Sequence, residues 1–396
     1  MSQLNQLKKA SDADMVYYDI VASNFQSTTT APPPLRFSES RTNPIISNTG
    51  DYYMSIVRFS LDTYDLPNFI CEIQPNQADP NLSIYSTTLE YDDGAGNITS
   101  SAQTYINWTP QNINTPVPLP PSATASKLQP TNTDYYYCYQ FQYFLALINQ
   151  AWQTAMADLI TATGGGASPI ATANQPSIVW DTMTQKGIIN AEEQYYKNSL
   201  PAKIRIYMNP PLFALFNSFA SINYGINATL GRNYQIAIED FVGLSLIQLP
   251  VNAPTYTAIQ VFQEFSTIDT WTPVSSIVFT SNTLPIVSNQ LSAPLIFNDG
   301  AIITGTGNNS NFAQIITDME TNQQVFKPQI LYSPTAEYRR IDMTGNRGLV
   351  NIDIEVYWRD KLGGLNQFYL PSGGSSTIKF LFERKDKYNL KGVDPI

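Results

Sequence analysis

A strong helical pattern at residues 133–160 constrains the fold of this chain more than any other feature. Apolar side chains recur there at every third or fourth position, so they fall on one side of an α-helix of about seven turns. They are Tyr137, Phe141, Phe144, Ile148, Trp152, Ala155 and Leu159. Most other segments are short, rich in β-branched and aromatic residues, and bounded by proline-rich or glycine-rich turns. The sequence therefore predicts a mainly β fold with one long helix over 135–161.

The long helix is nearly uncharged, and its aromatic residues surround it. In the run YYYCYQFQYF (135–144) they spread around the whole cylinder, and a helix that is apolar on most sides is usually buried. We therefore interpret this run as core and not as a stacking platform for bases or sugars. We expect the helix to lie between a sheet and a second element, either another domain or a neighbouring subunit.

The elements follow one order in both halves of the chain: several strands, a helix and further strands. In the second half, apolar residues at helical spacing from Phe312 to Met319 predict a short helix over 311–321. We expect a first unit at 49–220 that includes the long helix, and a second unit at 221–396 that includes the short helix and a basic C-terminal tail.

The first 48 residues have a different character. They are polar and carry three consecutive prolines at 32–34, which favour an extended backbone. We expect residues 1–48 to form an extended N-terminal arm whose short apolar piece adds a strand to a neighbour. The alternative is a terminus without fixed structure.

The charge of the chain is low for a folded protein. Only 14 % of the residues are Asp, Glu, Lys or Arg, against roughly 25 % in an average soluble domain. A neutral polar surface rich in Tyr and Asn loses water cheaply against a partner, so we interpret the chain as one built to be surrounded by other chains. An extracellular β protein with a low-charge surface is the alternative. The net charge of −10 disfavours general binding of nucleic acid.

The sequence carries no sign of export or of membrane insertion. No window of about 18 apolar residues exists to span a bilayer, and the start MSQLNQLKKASDAD lacks the apolar core of a signal peptide. Cys71 and Cys138 are far apart in sequence and fit no metal or redox spacing, so we expect two free thiols, with a disulfide as the alternative.

The chain has no histidine, which removes the commonest nucleophile systems and most zinc catalysis. A glycosidase-type carboxylate pair is the remaining catalytic hypothesis. Its candidates are Glu192 with Glu193, and Glu90 with Asp92 and Asp93. Neighbouring residues of a strand point to opposite faces, so Glu192 and Glu193 should not share a cleft. We therefore predict no enzymatic activity, no cofactor and no metal site.

Positive charge collects towards the C-terminus. It is carried by Arg339, Arg340, Arg347, Arg384, Lys385, Lys387 and Lys391. Such a group predicts contact with an acidic neighbour or with nucleic acid on the inner side of a particle. The alternative is a solvated tail that protects the last strand from pairing with other chains.

The chain resembles the jelly-roll coat proteins of non-enveloped icosahedral viruses. The resemblance rests on the N-terminal arm, the two successive β units with a helix each, the long polar loops and the lack of a catalytic set. The double jelly-roll capsid protein is the most similar type. The resemblance implies two consecutive jelly-roll sandwiches with a helix beside each, and three copies that form a pseudo-hexagonal tile. It also implies a location in the virion, and partners that are copies of the chain and other virion proteins.

Two other arrangements stay open. If 311–321 is not helical, a single jelly roll with an extra β-rich domain, as in vertex or attachment proteins, becomes preferable. An attachment protein would bind a host receptor or glycan through loops such as 114–132, 164–175 and 250–256.

Overall fold

The structure is a computed structural model of the full chain. It describes residues 13–25, 32–63, 65–121, 129, 133–225, 231–239, 247–249, 256–286, 295–298, 301–304, 314–320, 329–332, 340–361 and 364–385. These residues belong to two compact units. Residues 1–66 and 274–396 make the discontinuous unit, and residues 67–273 make the inserted unit. Among the described residues, no helix is long and apolar enough to cross a membrane.

Strands dominate both units. In chain order they are β1 (Met15–Ser23), β2 (Arg36–Ser40), β3 (Tyr52–Asp62), β4 (Phe69–Ile70), β5 (Leu82–Asp92), β6 (Ile98–Ser100), β7 (Thr104–Asn107), β8 (Tyr137–Cys138), β9 (Ser177–Asp181), β10 (Lys186–Glu192), β11 (Lys203–Met208), β12 (Ser221–Asn223), β13 (Tyr234–Ile236), β14 (Ile247–Leu249), β15 (Tyr256–Phe262), β16 (Val274–Ser281), β17 (Leu295–Asn298), β18 (Ala301–Thr304), β19 (Gln314–Glu320), β20 (Gln329–Tyr332), β21 (Ile341–Asp342), β22 (Asn351–Asp360), β23 (Leu365–Gln367) and β24 (Ser375–Arg384). The α-helices are α1 (Phe141–Ala162), α2 (Glu193–Tyr196), α3 (Pro210–Leu215) and α4 (Ile268–Trp271).

The discontinuous unit is a β-sandwich. One sheet has the order β1-β24-β3-β20, with β21 also on β3, and the other has the order β18-β17-β23-β22-β16-β19, with β2 also on β22. Phe59 of β3 meets Phe279 of β16 edge to face, with ring centroids 4.7 Å apart, and Phe37 of β2 lies 6.3 Å from Phe59. These contacts join the inner faces of the two sheets into one apolar core.

The division of the chain differs from the two contiguous units expected at 49–220 and 221–396. Strand β3 pairs with β24 from Tyr52↔Arg384 to Ser60↔Thr377, so the two ends of the chain share one sheet. The boundaries therefore fall after residues 66 and 273. The expected boundaries were wrong because the repeated order of elements says nothing about pairing between distant strands.

The described part of residues 1–48 is not a separate arm. Strand β1 pairs with β24 along its whole length, and β2 pairs with β22 from Arg36↔Glu355 to Ser40↔Asn351. Ile20 and Phe37 are buried in the sandwich. Alternating apolar side chains thus hold this segment in the sheets of its own chain, where the sequence predicted a strand added to a neighbour.

The short helix predicted over 311–321 is wrong, because residues 314–320 form β19. This strand pairs with β16, with Met319 opposite Ile277 and Ile315 opposite Thr280. A short apolar run fits both the helical and the strand period, and β-branched residues favour the strand. The other predicted positions lie outside the described residues. No α-helix occurs in the described part of the discontinuous unit. A helix beside each of two sandwiches is therefore not found, and the layout matches the alternative of one sandwich with an extra β-rich domain.

The inserted unit contains the long helix and three sheets. Their orders are β14-β15-β10-β9, β12-β13-β11-β5-β6 with β7 on β5, and β4-β8. Helix α1 packs against β5, β7 and β9. Its Trp152 indole donates a hydrogen bond to Thr87 at 2.8 Å, and its Asn149 amide exchanges hydrogen bonds with the backbone of Ile178 at 3.0 and 2.7 Å. The unit thus carries an apolar core between a helix and its sheets.

Helix α1 begins later than the sequence predicted, and one of its faces is exposed. Tyr137 and Cys138 form β8 and pair with β4, so the helix starts at Phe141 and not at 135. Its outer face is exposed and carries the small or neutral side chains of Gln142, Ala146 and Gln150. This exposed face also carries the one charged side chain of the helix, Asp158. The second element that the sequence predicted to cover the helix, either another domain or a neighbouring subunit, stays a prediction.

Candidate functional site

The carboxylates that the catalytic hypothesis needs are engaged in structural contacts. Glu90 is buried and accepts hydrogen bonds from Arg205 at 2.9 Å, Arg232 at 2.5 Å and the Tyr207 hydroxyl at 3.0 Å. Asp92 pairs with the other guanidinium nitrogen of Arg205 at 2.5 Å. These contacts join strands β5 and β11 and the Arg232 loop into one charged network, which we call the Glu90 network.

The other candidate carboxylates also have separate partners. Asp93 closes the turn after β5, where hydrogen bonds from Asn97 and nearby backbone amides lower the pKa of its carboxyl group. Glu192 is buried and accepts from the backbone and side chain of Asn174 at 2.9 and 3.0 Å. Glu193 pairs with Lys197 at 3.4 Å. Glu192 and Glu193 therefore share no partner. No metal-binding group of three or more acidic or cysteine side chains occurs among the described residues.

Both cysteines are free thiols, as the sequence predicted. Strands β4 and β8 place Cys138 opposite Phe69, and the backbone amide of Cys71 donates to Tyr136. Both thiols are fully buried. Burial raises the pKa of Cys138 to about 12 and raises the pKa of Cys71 well above its ordinary value. Thiols of this kind are unreactive core side chains.

The structure brings three of the predicted basic residues to one end of the first sheet. Arg340 donates to Glu383 at 3.1 Å, and Arg384 follows directly in β24, where its amide donates to Asp14 at 3.0 Å. The ammonium group of Lys385 pairs with Asp342. It also donates to the Met343 carbonyl oxygen at 2.8 Å and lies 5.3 Å from the centre of the Tyr53 ring.

Arg347 lies apart from this group. It is exposed, and its carbonyl oxygen accepts from the Thr49 amide at 3.0 Å. Arg339, Lys387 and Lys391 lie outside the described residues. Of the seven predicted basic residues, Arg340 and Lys385 are therefore each paired with a carboxylate of the same chain.

An exposed apolar surface, not predicted from the sequence, lies on the outer face of the first sheet. Met15, Tyr17 and Val21 of β1 and Leu331 of β20 are exposed there, and we call these four residues the β1 face. The register places Val21, Thr377, Ser60 and Leu331 in one row across four strands. The alternation of MVYYDIVAS was the available signal, because it places every second residue of a strand on one face.

A charged group lies at the centre of the β1 face. Asp19 of β1 pairs with Arg58 at 3.2 Å and with Lys379 at 3.1 Å, and the ammonium of Lys379 lies 5.5 Å from the centre of the Tyr17 ring. Within the described residues, β1 ends the sheet and pairs with β24 alone. Exposed aromatic and aliphatic side chains around a partly compensated polar centre are typical of protein–protein contact surfaces.

Comparison with known proteins identifies the family. The family model for the Sputnik minor capsid protein V18/19 matches residues 16–384. The chain belongs to this family. Structural protein V19 of Sputnik virophage is 34 % identical over 212 residues, which are 53 % of this chain and 94 % of V19. The uncharacterized protein V18 of the same virophage is 32 % identical over 168 residues, which are 42 % of this chain and 97 % of V18.

Solved structures also match the chain. A chain of the 3.5 Å cryo-EM structure of the Sputnik virophage matches with a TM-score of 0.78 and 31 % identity, over 96 % of this chain and 100 % of that chain. The mavirus penton protein matches with a TM-score of 0.60 and 15 % identity, over 94 % of this chain and 100 % of that protein, and so shares its fold.

These findings confirm the main functional predictions. The chain is a viral capsid structural protein with a mainly β fold of the jelly-roll type, it is located in the virion, and its role is structural and not enzymatic. The resemblance to jelly-roll coat proteins of icosahedral viruses is confirmed at this level.

Proposed function

We propose that the chain is a minor shell protein that assembles with copies of itself into rings at the vertices of an icosahedral capsid. The observation that carries this proposal is the division of the chain into one sandwich and one inserted unit. The family is described as a minor capsid protein, and the fold is shared with a penton protein. A ring of identical copies needs one repeated side-to-side contact per subunit, and a single sandwich can provide it.

The trimeric pseudo-hexagonal tile predicted from the sequence is the second candidate. Three copies present six similar sides only if each chain carries two similar units. The two units differ in their described parts, because α1 and two larger sheets occur in the inserted unit and a two-sheet sandwich without an α-helix makes the discontinuous unit. The tile therefore has less support than the ring.

The β1 face is proposed as one side of the contact between copies in the ring, where it meets a different surface of the next copy. It combines exposed apolar side chains with an edge strand, and edge strands offer unpaired backbone groups to neighbouring chains. Tyr17 is 57 % exposed and Leu331 63 %, so both side chains are accessible to a neighbouring copy. Asp19 compensates one of the two positive charges of Arg58 and Lys379, which limits the dependence of such a contact on salt.

Contact with the packaged genome, and binding of a host receptor or glycan, stay predictions. Arg340 and Lys385 are each compensated by a carboxylate, so genome contact would depend on Arg347, on Arg384 and on the predicted basic residues outside the described ranges. Of the loops predicted to bind a receptor, 164–175 is fully described, 114–132 is described in part, and only Tyr256 is described in 250–256.

The test is the assembly state of the purified full chain, measured by light scattering and negative-stain microscopy. Five-membered rings are expected, and the double variant Tyr17→Asp with Leu331→Asp should reduce them to single chains. Met183→Asp is the matched control, because Met183 is 89 % exposed in the inserted unit and should leave the rings intact. Trimers with a hexagonal outline would favour the tile. A single chain at high concentration would contradict self-assembly through the β1 face.

A further inference from the structure

The segment TPVPLPP at residues 115–121, which we call the proline segment, has a conformation largely set by its composition. Proline fixes its own φ near −65° and holds the preceding residue in an extended conformation. A proline follows each of residues 115, 117, 119 and 120. The backbone of the whole segment is therefore restricted to extended conformations. No helix or strand is assigned to it. These constraints favour the polyproline II helix, which has three residues per turn.

The burial of the proline segment follows this three-residue period. Thr115 and Pro118 are half-buried and Pro121 is buried, which makes one ridge that faces the inserted unit. Pro116 and Leu119 form an exposed ridge; the third ridge changes along its length, from the exposed Val117 to the half-buried Pro120. Leu119 is 87 % and Val117 64 % exposed. The segment thus lies on the surface as a short rod that presents aliphatic and proline side chains.

Both ends of the proline segment are fixed to the protein. The carbonyl oxygen of Pro121 accepts from the Asn76 amide at 2.8 Å, and the Thr115 amide donates to Asn112 at 3.3 Å. The side chain of Asn112 in turn donates to Asp134 at 3.0 Å. A ligand that is already held in its binding conformation loses little entropy when it binds.

We propose that the proline segment is a docking ligand for a partner protein whose groove is lined by Trp and Tyr side chains. Such grooves recognise polyproline II segments, because proline rings and aliphatic side chains pack between the aromatic rings. The segment carries no charge, so the groove would recognise it by shape and apolar contact. This inference goes beyond the proposed position in the shell and does not depend on it.

A glycan partner is disfavoured by the same observations. Sugar-binding surfaces present aromatic rings or groups of polar side chains, and the exposed ridges consist of proline, valine and leucine. We therefore expect a groove on a partner protein to bind this aliphatic segment, and we do not expect the segment to bind sugars.

The experiment uses the purified full chain and three probes of aromatic-groove chemistry: an SH3, a WW and an EVH1 domain. Binding is followed by fluorescence anisotropy of the labelled domain as the full chain is added. At least one domain should bind saturably, and Leu119→Asp should weaken this binding about tenfold. The double variant Pro116→Ala with Pro120→Ala leaves Val117 and Leu119 in place and should also weaken binding, because it loosens the rod. Met183→Asp, equally exposed outside the segment, should bind as the wild type does.

Three outcomes would overturn the proposal. The first is that none of the three domains binds the wild-type chain. The second is that Leu119→Asp binds as tightly as Met183→Asp. The third is binding to a glycan array that is lost in Leu119→Asp, which would assign the segment to sugar recognition. Unchanged circular dichroism spectra would show that each exposed variant is folded.

Discussion

The two units stabilise their sheets in different ways. The discontinuous unit joins two sheets through aromatic side chains, with Phe59 between Phe37 and Phe279. In the inserted unit, β5 and β11 bury apolar residues such as Leu89 and Ile206 on one face and the Glu90 network on the other. Apolar packing is tolerant of small changes, whereas a buried charge network becomes costly as soon as one member is lost. We therefore expect the discontinuous unit to be destabilised most by loss of a buried aromatic ring, and the inserted unit by loss of a member of the Glu90 network.

The largest effect should come from the aromatic core of the discontinuous unit. Phe59→Ala removes a fully buried ring between the two sheets and should lower the free energy of unfolding by about 4 kcal/mol. Hydrogen exchange with mass spectrometry should show loss of protection in β3 and β24. Phe25→Ala is the control, since Phe25 is 87 % exposed in the same unit and should have little effect. Equal effects of the two variants would contradict the assigned core.

A slightly smaller effect should come from the Glu90 network. Glu90→Gln keeps the size of the side chain but leaves the guanidinium groups of Arg205 and Arg232 without their shared carboxylate, at a cost of about 3 kcal/mol. This loss is measured by unfolding in denaturant, with hydrogen exchange in β5 and β11 as the readout. Glu193→Gln breaks the single-contact pair of Glu193 with Lys197 in the same unit and should cost less than about 1 kcal/mol. A cost below this value for Glu90→Gln would show that its charge is dispensable.

The buried thiols report on the unfolding of the inserted unit alone, because Cys71 and Cys138 both belong to this unit. At pH 8, both should resist alkylation until this unit unfolds. Because the pKa of Cys138 rises from 9.0 to about 12 on folding, its contribution to stability is complete below pH 9 and is lost as the pH rises towards 12. The unfolding midpoint of the inserted unit should therefore fall in this range, and less so in Cys138→Ala. Rapid alkylation of the folded chain would contradict the burial.

The smallest effect should come from the charges of the β1 face. Asp19→Asn removes the partner of Arg58 and Lys379, both of which are partly exposed, and should change the free energy of unfolding by less than about 1 kcal/mol. Thermal unfolding of the wild type and the variant measures this change. A loss of several kcal/mol would mean that the surface charges support the sandwich itself, and would weaken the contrast with the Glu90 network.

The sequence predicted what depends on local pattern. The long helix followed from apolar spacing over many turns, and the free thiols followed from the spacing of the cysteines. The segment at 314–320 was misassigned because Ile315, Ile316 and Met319 fit a helix as well as a strand, and pairing with β16 decides between them. Local pattern also could not show that Glu383 and Asp342 lie beside Arg340 and Lys385, since these contacts depend on strands that pair from distant parts of the chain.

The pairing of β3 with β24 has a consequence for the order of folding during synthesis. The hydroxyl groups of Ser60 and Thr377 are 2.7 Å apart, although 317 positions separate the two residues in the chain. The sandwich therefore lacks a central strand until β24 has left the ribosome. The inserted unit is continuous in sequence and can complete its contacts before that point. A nascent chain should thus contain a folded inserted unit before β3 can pair with β24, so the sandwich becomes available for assembly only after β24 has been translated.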